Sequence, residues 1–465
     1  MLYLAGLAVI VLFALIGAVC VNSVFPEASG PLSVGVGFPL ATGFFTLATF
    51  ILSIAMVPLR WSYALAGLGI ALSVLATWAF RRGNERRSPT GLGQQSGAGI
   101  NGRESASALG LAGLALVLLG YLAVGRSYST WDAIAIWSIK GYGISLEGTV
   151  LAARTWGSHG MTYPLNLPVL IALFRDLGLE SLPASKLIFP AFYLSMALVS
   201  YDYARSRSMS VAHSLLGTLS VSTIPLIFEH ATTGYANLPF TVFLVGGAVL
   251  LVDGISRRHS GALILSGLSV GLAAWTRPEG LLLAATGAAV AIIYFIHLLA
   301  EKKQIIAWLA PMVVVGGIWG IANVRFGVTS LLGNTLSVAL KQITAGNFNT
   351  AGAILEFRYL GGQLLDIRVW GLILPMAIIL LVANYRQLAG AWSGPHGVLL
   401  GAGVAYGVPV LVFYYLLGFR GNTLYWLDTG LNRMLMPASV LLFLWVLYLA
   451  PLSLGKPPTM FDDPS

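Results

Sequence analysis

The sequence predicts an all-α, polytopic integral membrane protein, and three observations carry that reading. Apolar residues make up 57% of the 465-residue chain and charged residues only 9%, whereas a soluble domain covers its surface with roughly 25% Asp, Glu, Lys and Arg. Mean hydropathy is +0.83. About thirteen apolar runs approach or reach the roughly 17–25 residues that cross a bilayer as helix. Lipid offers backbone amides no partner, so such runs of Leu, Ala, Val and Ile form helices. Composition excludes a soluble enzyme. It also excludes a nucleic-acid binder, because the 26 Lys and Arg are scattered in tracts no longer than two. Cys20 is the single cysteine, which leaves no intramolecular disulfide, CxxC pair or cysteine metal site.

The expected spans lie near 2–22, 36–57, 62–80, 108–125, 184–204, 211–229, 238–254, 261–276, 280–298, 306–323, 369–384, 397–417 and 432–450. The first, MLYLAGLAVIVLFALIGAVC, lacks the basic start of a cleaved leader and is expected to stay as a span. Residues 1–80 thus form a three-helix N-terminal extension. Residues 81–107 hold five Arg among Gly, Ser and Gln, a flexible basic linker that the positive-inside rule places in the cytosol. Alternation then puts Arg205/Arg207, Arg257/Arg258, Lys302/Lys303 and Arg386 on the same side. Basic residues divide 13 and 13 between the two sides, so the short-loop form of the rule sets the orientation. The core, 108–450, opens its long segments on the outer face: the first outer loop 126–183, the long outer loop 324–368, and 418–431. Residues 451–465 are a tail. Within the first loop, YPLNLPVLIALFRDLG (163–178) has too short an apolar stretch to span and reads as an interfacial or re-entrant helix. No inverted repeat of the transporter kind is visible, and the 54 glycines suit close helix packing.

Four segments combine polar residues with span boundaries. In SYSTWDAIAIWSIKGYGI, Asp132 stands between Trp131 and Trp137 where an aromatic belt forms. It is either a helix cap or a working carboxylate. Lys140 follows about two turns on, with Arg154, His159 and Tyr163 later in the same loop. In FEHATTGYANLP, Glu229 and His230 are ionisable groups at the end of an apolar helix, and Tyr235 and Asn237 open the next. Asn237 reads equally well as a turn residue. In GLAAWTRPEGLL, Arg277 and Glu279 interrupt about forty apolar residues around Pro278, either as a solvated pair in a turn or as site residues. The fourth, LYWLDTGLNRMLMP, brings Asp428 and Arg433 into the last span. There is no Walker loop, GxGxxG, HExxH, DxD or histidine cluster, so no metal site and no cofactor is expected. One carboxylate with water and a substrate phosphate is still compatible with a magnesium ion.

In this order the four segments resemble the GT-C superfamily of polyprenyl-phosphate-sugar glycosyltransferases, especially the bacterial RgtA/B/C/D-like and protein mannosyltransferase-like branch. The resemblance covers residues 108 to 450. Trp131, Asp132, Ala133, Trp137 and Lys140 match W-D-A-x-x-x-W-x-x-K, and Tyr163, Pro164 and Leu165 match Y-P-L. GYANLP (234–239) stands for G-Y-A-D-L-P, TRPEG (276–280) for T-K/R-x-E-G, and Trp426, Thr429 and Arg433 for W-x-x-T-x-x-x-R. The departure is Asn237 where the pattern has Asp.

The resemblance implies a GT-C-like membrane enzyme. It would move a sugar from a polyprenyl-phosphate donor to a hydroxyl of an envelope glycan, lipid or protein acceptor. Asp132 would be the general base, with Lys140, Arg154, Arg277 and Arg433 on the donor phosphate. Trp131, Trp137, His159, Tyr163, Glu229, His230, Tyr235, Asn237 and Glu279 would shape the substrate site. One carboxylate and a displaced leaving group imply inversion. The setting implied is a bacterial or archaeal plasma membrane with the active site on its outer face. The competing reading is a multi-span transporter or lipid flippase. Against it, the charges cluster at span boundaries; only Asp202 and His213 come near span interiors, and both are close to ends.

Overall fold

The computed structural model describes residues 2–85, 120, 125, 127–178, 182–207, 209–280, 302–328, 331–388 and 394–453. Among them every regular element is helical. Among the described residues seven helices are long and apolar enough to cross a membrane, or eight if one bent pair is a single span. The chain is an α-helical, multi-pass membrane protein. The seven are Leu4–Val24, Gly30–Ile54, Ala184–Arg205, Asn237–Ser256, Lys302–Arg325, Gly397–Arg420 and Thr423–Leu449. The expected span at 211–229 is the bent pair, Val211–Ser222 and Pro225–Thr233, which meet at 64°. Pro225 lacks the amide to continue the first helix. The runs at 261–276 and 369–384 form the shorter helices Ser260–Thr276 and Ile373–Ala383. The run at 62–80 lies in the helix Leu59–Glu85, outside the seven. All but the first residue of the span at 280–298, nearly all of 108–125, most of the 81–107 linker and the tail beyond 453 lie outside the described residues.

Two compact units divide the chain. The first takes Met1–Gly157, Asn166–Leu198 and Ala231–Gly234. It holds α1 (Leu2–Val24), α2 (Gly30–Ile54), α3 (Leu59–Glu85), α4 (Ile139–Glu147), α5 (Asn166–Asp176) and the first part of α6 (Ile188–Arg205). Ser29 starts α2 by accepting from the Leu32 amide at 3.2 Å, and Pro31 fits the first turn, where its missing N–H costs nothing. α1 and α2 cross where both carry glycine. A Cβ at Gly17 would lie 2.0 Å from the Gly37 carbonyl oxygen, and one at Gly37 would lie 2.4 Å from the Gly17 carbonyl carbon. Small residues at a membrane crossing let backbones touch, and dispersion then replaces the hydrophobic drive that lipid removes.

α5 is the short helix expected over 163–178. Asn166 through Phe174 are all buried, so protein rather than lipid encloses its apolar length. The Thr46 hydroxyl donates to Asn166 Oδ1 at 2.7 Å, tying α2 to α5. α4 reaches α5 through Gly141, where a Cβ would lie 2.6 Å from Ile171 Cγ2. The next glycine of the GYG stretch, Gly143, lies against the Trp156 ring in the same way.

The second unit takes Ser158–Leu165, Val199–His230 and Tyr235–Ser465. After α6 come α7 (Val211–Ser222), α8 (Pro225–Thr233), α9 (Asn237–Ser256), α10 (Ser260–Thr276), α11 (Lys302–Arg325), α12 (Leu331–Thr344), α13 (Thr350–Leu364), α14 (Ile373–Ala383), α15 (Gly397–Leu417) and α16 (Asn432–Ser453). α9 is buried from Asn237 to Ile255. α10 docks on it by two hydroxyls that reach α9 carbonyls, Ser266 to Gly247 at 2.6 Å and Ser269 to Phe243 at 2.7 Å. Such bonds help hold helices where lipid gives no hydrophobic drive.

At the C-terminal end of α9, Asp253 pairs with Arg207 at 3.9 Å. His396 Nε2 accepts from Arg207 at 2.5 Å, since a guanidinium can only donate. The proton therefore sits on Nδ1, 3.1 Å from the Tyr203 hydroxyl, and the ring stacks on Tyr448 at 4.1 Å.

Candidate functional site

The residues singled out by sequence fall into two groups, one in each unit. In the first unit, residues 131–147 form one helix interrupted by a π turn over Ala133–Ser138. Asp132 occupies its first turn in helical conformation, and its side chain makes no capping hydrogen bond. That removes the cap reading. The spacing of eight to Lys140 overshoots two α turns of 3.6 residues, and the extra residue taken by a π turn absorbs the excess. Trp137 and Lys140 are fully buried and Asp132 half-buried, whereas Trp131 is exposed. Burial brings the Lys140 ammonium down to about 8. Gly157, at φ +74°, lets the chain pass beside this helix: a Cβ there would lie 2.5 Å from the Ala135 carbonyl oxygen and 3.0 Å from Lys140 Cγ. Arg154 is exposed.

Gly234 of the GYANLP segment also belongs to this unit. At φ +93°, it lies where a Cβ would meet the Tyr128 ring at 2.4 Å and Ala133 Cβ at 3.6 Å. The glycine is thus required twice over, by its backbone conformation and by contact with the two residues that flank the 129–132 stretch.

The second unit holds the larger polar cluster. α10 ends at Thr276, and Arg277 is extended at φ −145°, ψ 145°, as the residue before a proline must be. That turn aims its guanidinium inward. Nε and NH2 donate to the two Glu279 carboxylate oxygens, both at 3.0 Å, and NH1 donates to Asn237 Oδ1 at 2.6 Å. Burial alone would raise the Glu279 carboxyl, but the Arg277 guanidinium holds it below the usual carboxylate range. Asn237, at the start of α9, uses its other half: Nδ2 donates to the Arg433 carbonyl at 3.1 Å. An Asp there would lack that donor, so the amide fits both neighbours as the carboxylate of the family pattern would not. The Arg433 guanidinium lies 5.1 Å from the Tyr235 ring, and Tyr235 is 4.8 Å from the His230 ring. His230 is buried, and its Nδ1 has no hydrogen-bond partner among the described residues. Tyr163 and Tyr406 both bear electrostatically on Arg277. His159 is exposed, its ring 5.7 Å from that of Tyr163, and Glu229 is exposed on α8.

Sequence reading thus identified Asn237, Arg277, Glu279, Arg433, Tyr235 and His230, and the second unit brings all six to one cluster. It missed a second π turn, Leu427–Leu431, inside the helix that runs from Thr423 to Ser453. Both π turns lie at a carboxylate, Asp132 and Asp428, and such turns recur at functional sites. It also missed Gly430, where a Cβ would lie 2.1 Å from the Tyr414 hydroxyl. In the first unit it missed Lys186, buried, with Nζ 3.5 Å from the Ser127 carbonyl. A lone lysine opening an apolar span was the available signal. Thr429, part of the family pattern, donates to its own helix at Tyr425 O, 2.7 Å away. Among the described residues no group of three His, Cys, Asp or Glu is placed to hold a metal ion.

Comparison with protein-family models, with curated proteins and with solved structures finds no match.

Proposed function

We propose that the protein is a membrane glycosyltransferase that moves a sugar from a polyprenyl-phosphate donor to a hydroxyl of an envelope glycan, lipid or protein, with inversion. The observation that carries this reading is the cluster in the second unit. Segments some 40 and 150 residues apart deliver Asn237, Arg277–Glu279 and Arg433 to shared hydrogen bonds, in the order the resemblance requires. Arg277 is a preorganised cation, its charge balanced by Glu279. Arg433, half-buried over Tyr235, is the group to meet a phosphate. In a low-dielectric site it stabilises charge as the polyprenyl phosphate departs.

Asp132 takes the acceptor proton as the hydroxyl attacks C1. It is a carboxylate in the first turn of an interrupted helix, not a cap. Lys140, about two turns on, adds positive charge, and the exposed Arg154 adds a second cation in the same loop. Phosphate is a good leaving group, so no general acid is needed. The full reading adds thirteen spans, a cytosolic 81–107 linker and an outer-face site in a bacterial or archaeal plasma membrane.

The transporter or flippase reading draws on Asp253 and Arg207, a pair buried within the second unit. Asp253 lies in the last turn of α9, near an end as the other charges are, and a coupling site is expected near the bilayer middle. The test is sugar transfer from a panel of radiolabelled polyprenyl-phosphate sugars to native membrane extract. Consumption of at least one donor by the purified protein supports the enzyme; no consumption, with uptake or flipping in vesicles, supports the transporter.

A further inference from the structure

The amphipathic helix α13 carries a polar seam. Asn349, Gly352, Glu356, Tyr359 and Gln363 recur at three- and four-residue spacing and so share one stripe of the helix. Along that stripe α13 runs parallel to the segment 418–432. The Tyr359 hydroxyl donates to Asp428 Oδ1 at 3.1 Å, and one turn later Asn432 Nδ2 donates to Gln363 Oε1 at 2.6 Å. At the other end Asn349 covers Gly418, where a Cβ would lie 2.2 Å from its Nδ2. Between these contacts stands Glu356. Its residue is only 6% exposed, and Oε1 has no hydrogen-bond partner among the described residues. Asn349 Nδ2, Asn432 Oδ1 and, on α12, Thr335 Oγ1 are buried without partners as well.

Buried polar atoms left open cost about 1–3 kcal/mol each; Asn349, Glu356 and Asn432 lie on the two sides of the seam and Thr335 on α12, which packs against the start of the same segment, and together they mark a place for a polar occupant. The open set holds an amide donor, an amide acceptor, a hydroxyl and a carboxyl. That mixture of donors and acceptors suits an uncharged polyhydroxylated ligand and not an anion. Burial raises the Glu356 carboxyl to about 7, so near neutral pH it can donate as well as accept. The seam also leads to the cluster described above, because Asn432 precedes Arg433, whose carbonyl and guanidinium engage Asn237 and Tyr235.

We infer that the seam between α13 and the 418–432 segment binds the hydroxyl groups of a sugar, with Glu356 as its central contact, and that the acceptor is therefore a glycan. This rests on the glycosyltransferase reading for its role in transfer, but not for binding.

The test measures binding and transfer separately. Purified full-length protein in detergent is titrated with fluorescently labelled mono- to tetrasaccharides, using wild type, Glu356→Leu and Glu356→Gln, with folding checked by circular dichroism. Expected is binding of at least one glycan, weakened tenfold or more by Glu356→Leu and less than threefold by Glu356→Gln, which keeps both a donor and an acceptor. Equal binding by all three proteins, or no binding of any glycan by wild type, overturns the inference; in the second case the open atoms hold water only. Donor consumption is read in parallel. Glycan binding that depends on Glu356 in a protein that consumes no donor leaves the sugar seam standing and removes the transferase reading. Donor consumption with Glu356-independent binding does the reverse.

Discussion

Replacing Glu279 by Gln keeps its shape and removes its charge, leaving the Arg277 guanidinium buried without a counter-ion. Arg277 is 7% exposed and bonded twice to Glu279 at 3.0 Å. Breaking a buried pair by removing one member costs about 3–5 kcal/mol. The Glu279 side chain keeps 22% of its exposure, so the lower end applies, about 3 kcal/mol, or roughly a hundredfold in the folding equilibrium. Asn237→Ala removes the third bond to the same charge and costs about 1.5–3 kcal/mol. Arg277→Met alone strands Glu279 and costs a similar amount to Glu279→Gln. The double change Arg277→Met with Glu279→Leu removes both charges and lands within about 1 kcal/mol of wild type. Unfolding in mixed detergent–SDS micelles, followed by circular dichroism, gives each value and the coupling. Glu279→Gln within 0.5 kcal/mol of wild type, or additive single and double changes, would refute a desolvated pair. The pair also sets an acid limb. The folded Glu279 carboxyl lies below its ordinary value, so its contribution is present above the unfolded value and is lost as pH falls through the folded one.

Further outcomes follow from single contacts. Gly234→Ala forces a left-handed alanine at φ +93° and sets a Cβ 2.4 Å from Tyr128; it lowers stability by about 2–4 kcal/mol in the same assay. Gly37→Leu drives the α1 backbone away from α2, and the half-buried Cys20, the sole cysteine, then reacts several-fold faster with a maleimide. His396 is pushed down to about 2 by burial and by Arg207, so below its ordinary value of 6.5 the unfolded chain binds a proton that the folded one does not. Stability falls on the order of 1 kcal/mol per pH unit between pH 6 and 4, and this slope is shallower in His396→Phe, which retains the stacking on Tyr448.

Composition and the lengths of apolar runs were enough to make the α-helical membrane class legible, since lipid permits few alternatives. The Arg277–Glu279 interruption was legible too, because a charged pair around Pro278 in so apolar a stretch has few uses. The span inventory was less so. Ser260–Thr276 matches its apolar run, but Ile373–Ala383 is shorter than the run at 369–384 suggested, and Val211–Thr233 bends, since helix ends and kinks depend on neighbours that hydropathy does not report. The π turns at 133–138 and 427–431 leave no compositional trace, because an i→i+5 register is chosen by packing. Glu356 was hidden in what read as the long outer loop 324–368, and only the fold buries it. Asn237 stayed ambiguous until its two partners, Arg277 and the Arg433 carbonyl, came from distant segments.

Asp132→Asn tests most directly the proposal that Asp132 removes the acceptor proton. Wild-type protein and the variant are compared for transfer of labelled sugar from a polyprenyl-phosphate donor to membrane extract, with donor binding measured on both. A positioned general base contributes about 10²–10⁴ in rate. Asp132→Asn is expected to fold, bind donor as wild type does, and lose transfer by at least a hundredfold. A folded variant that transfers at the wild-type rate would contradict the proposal.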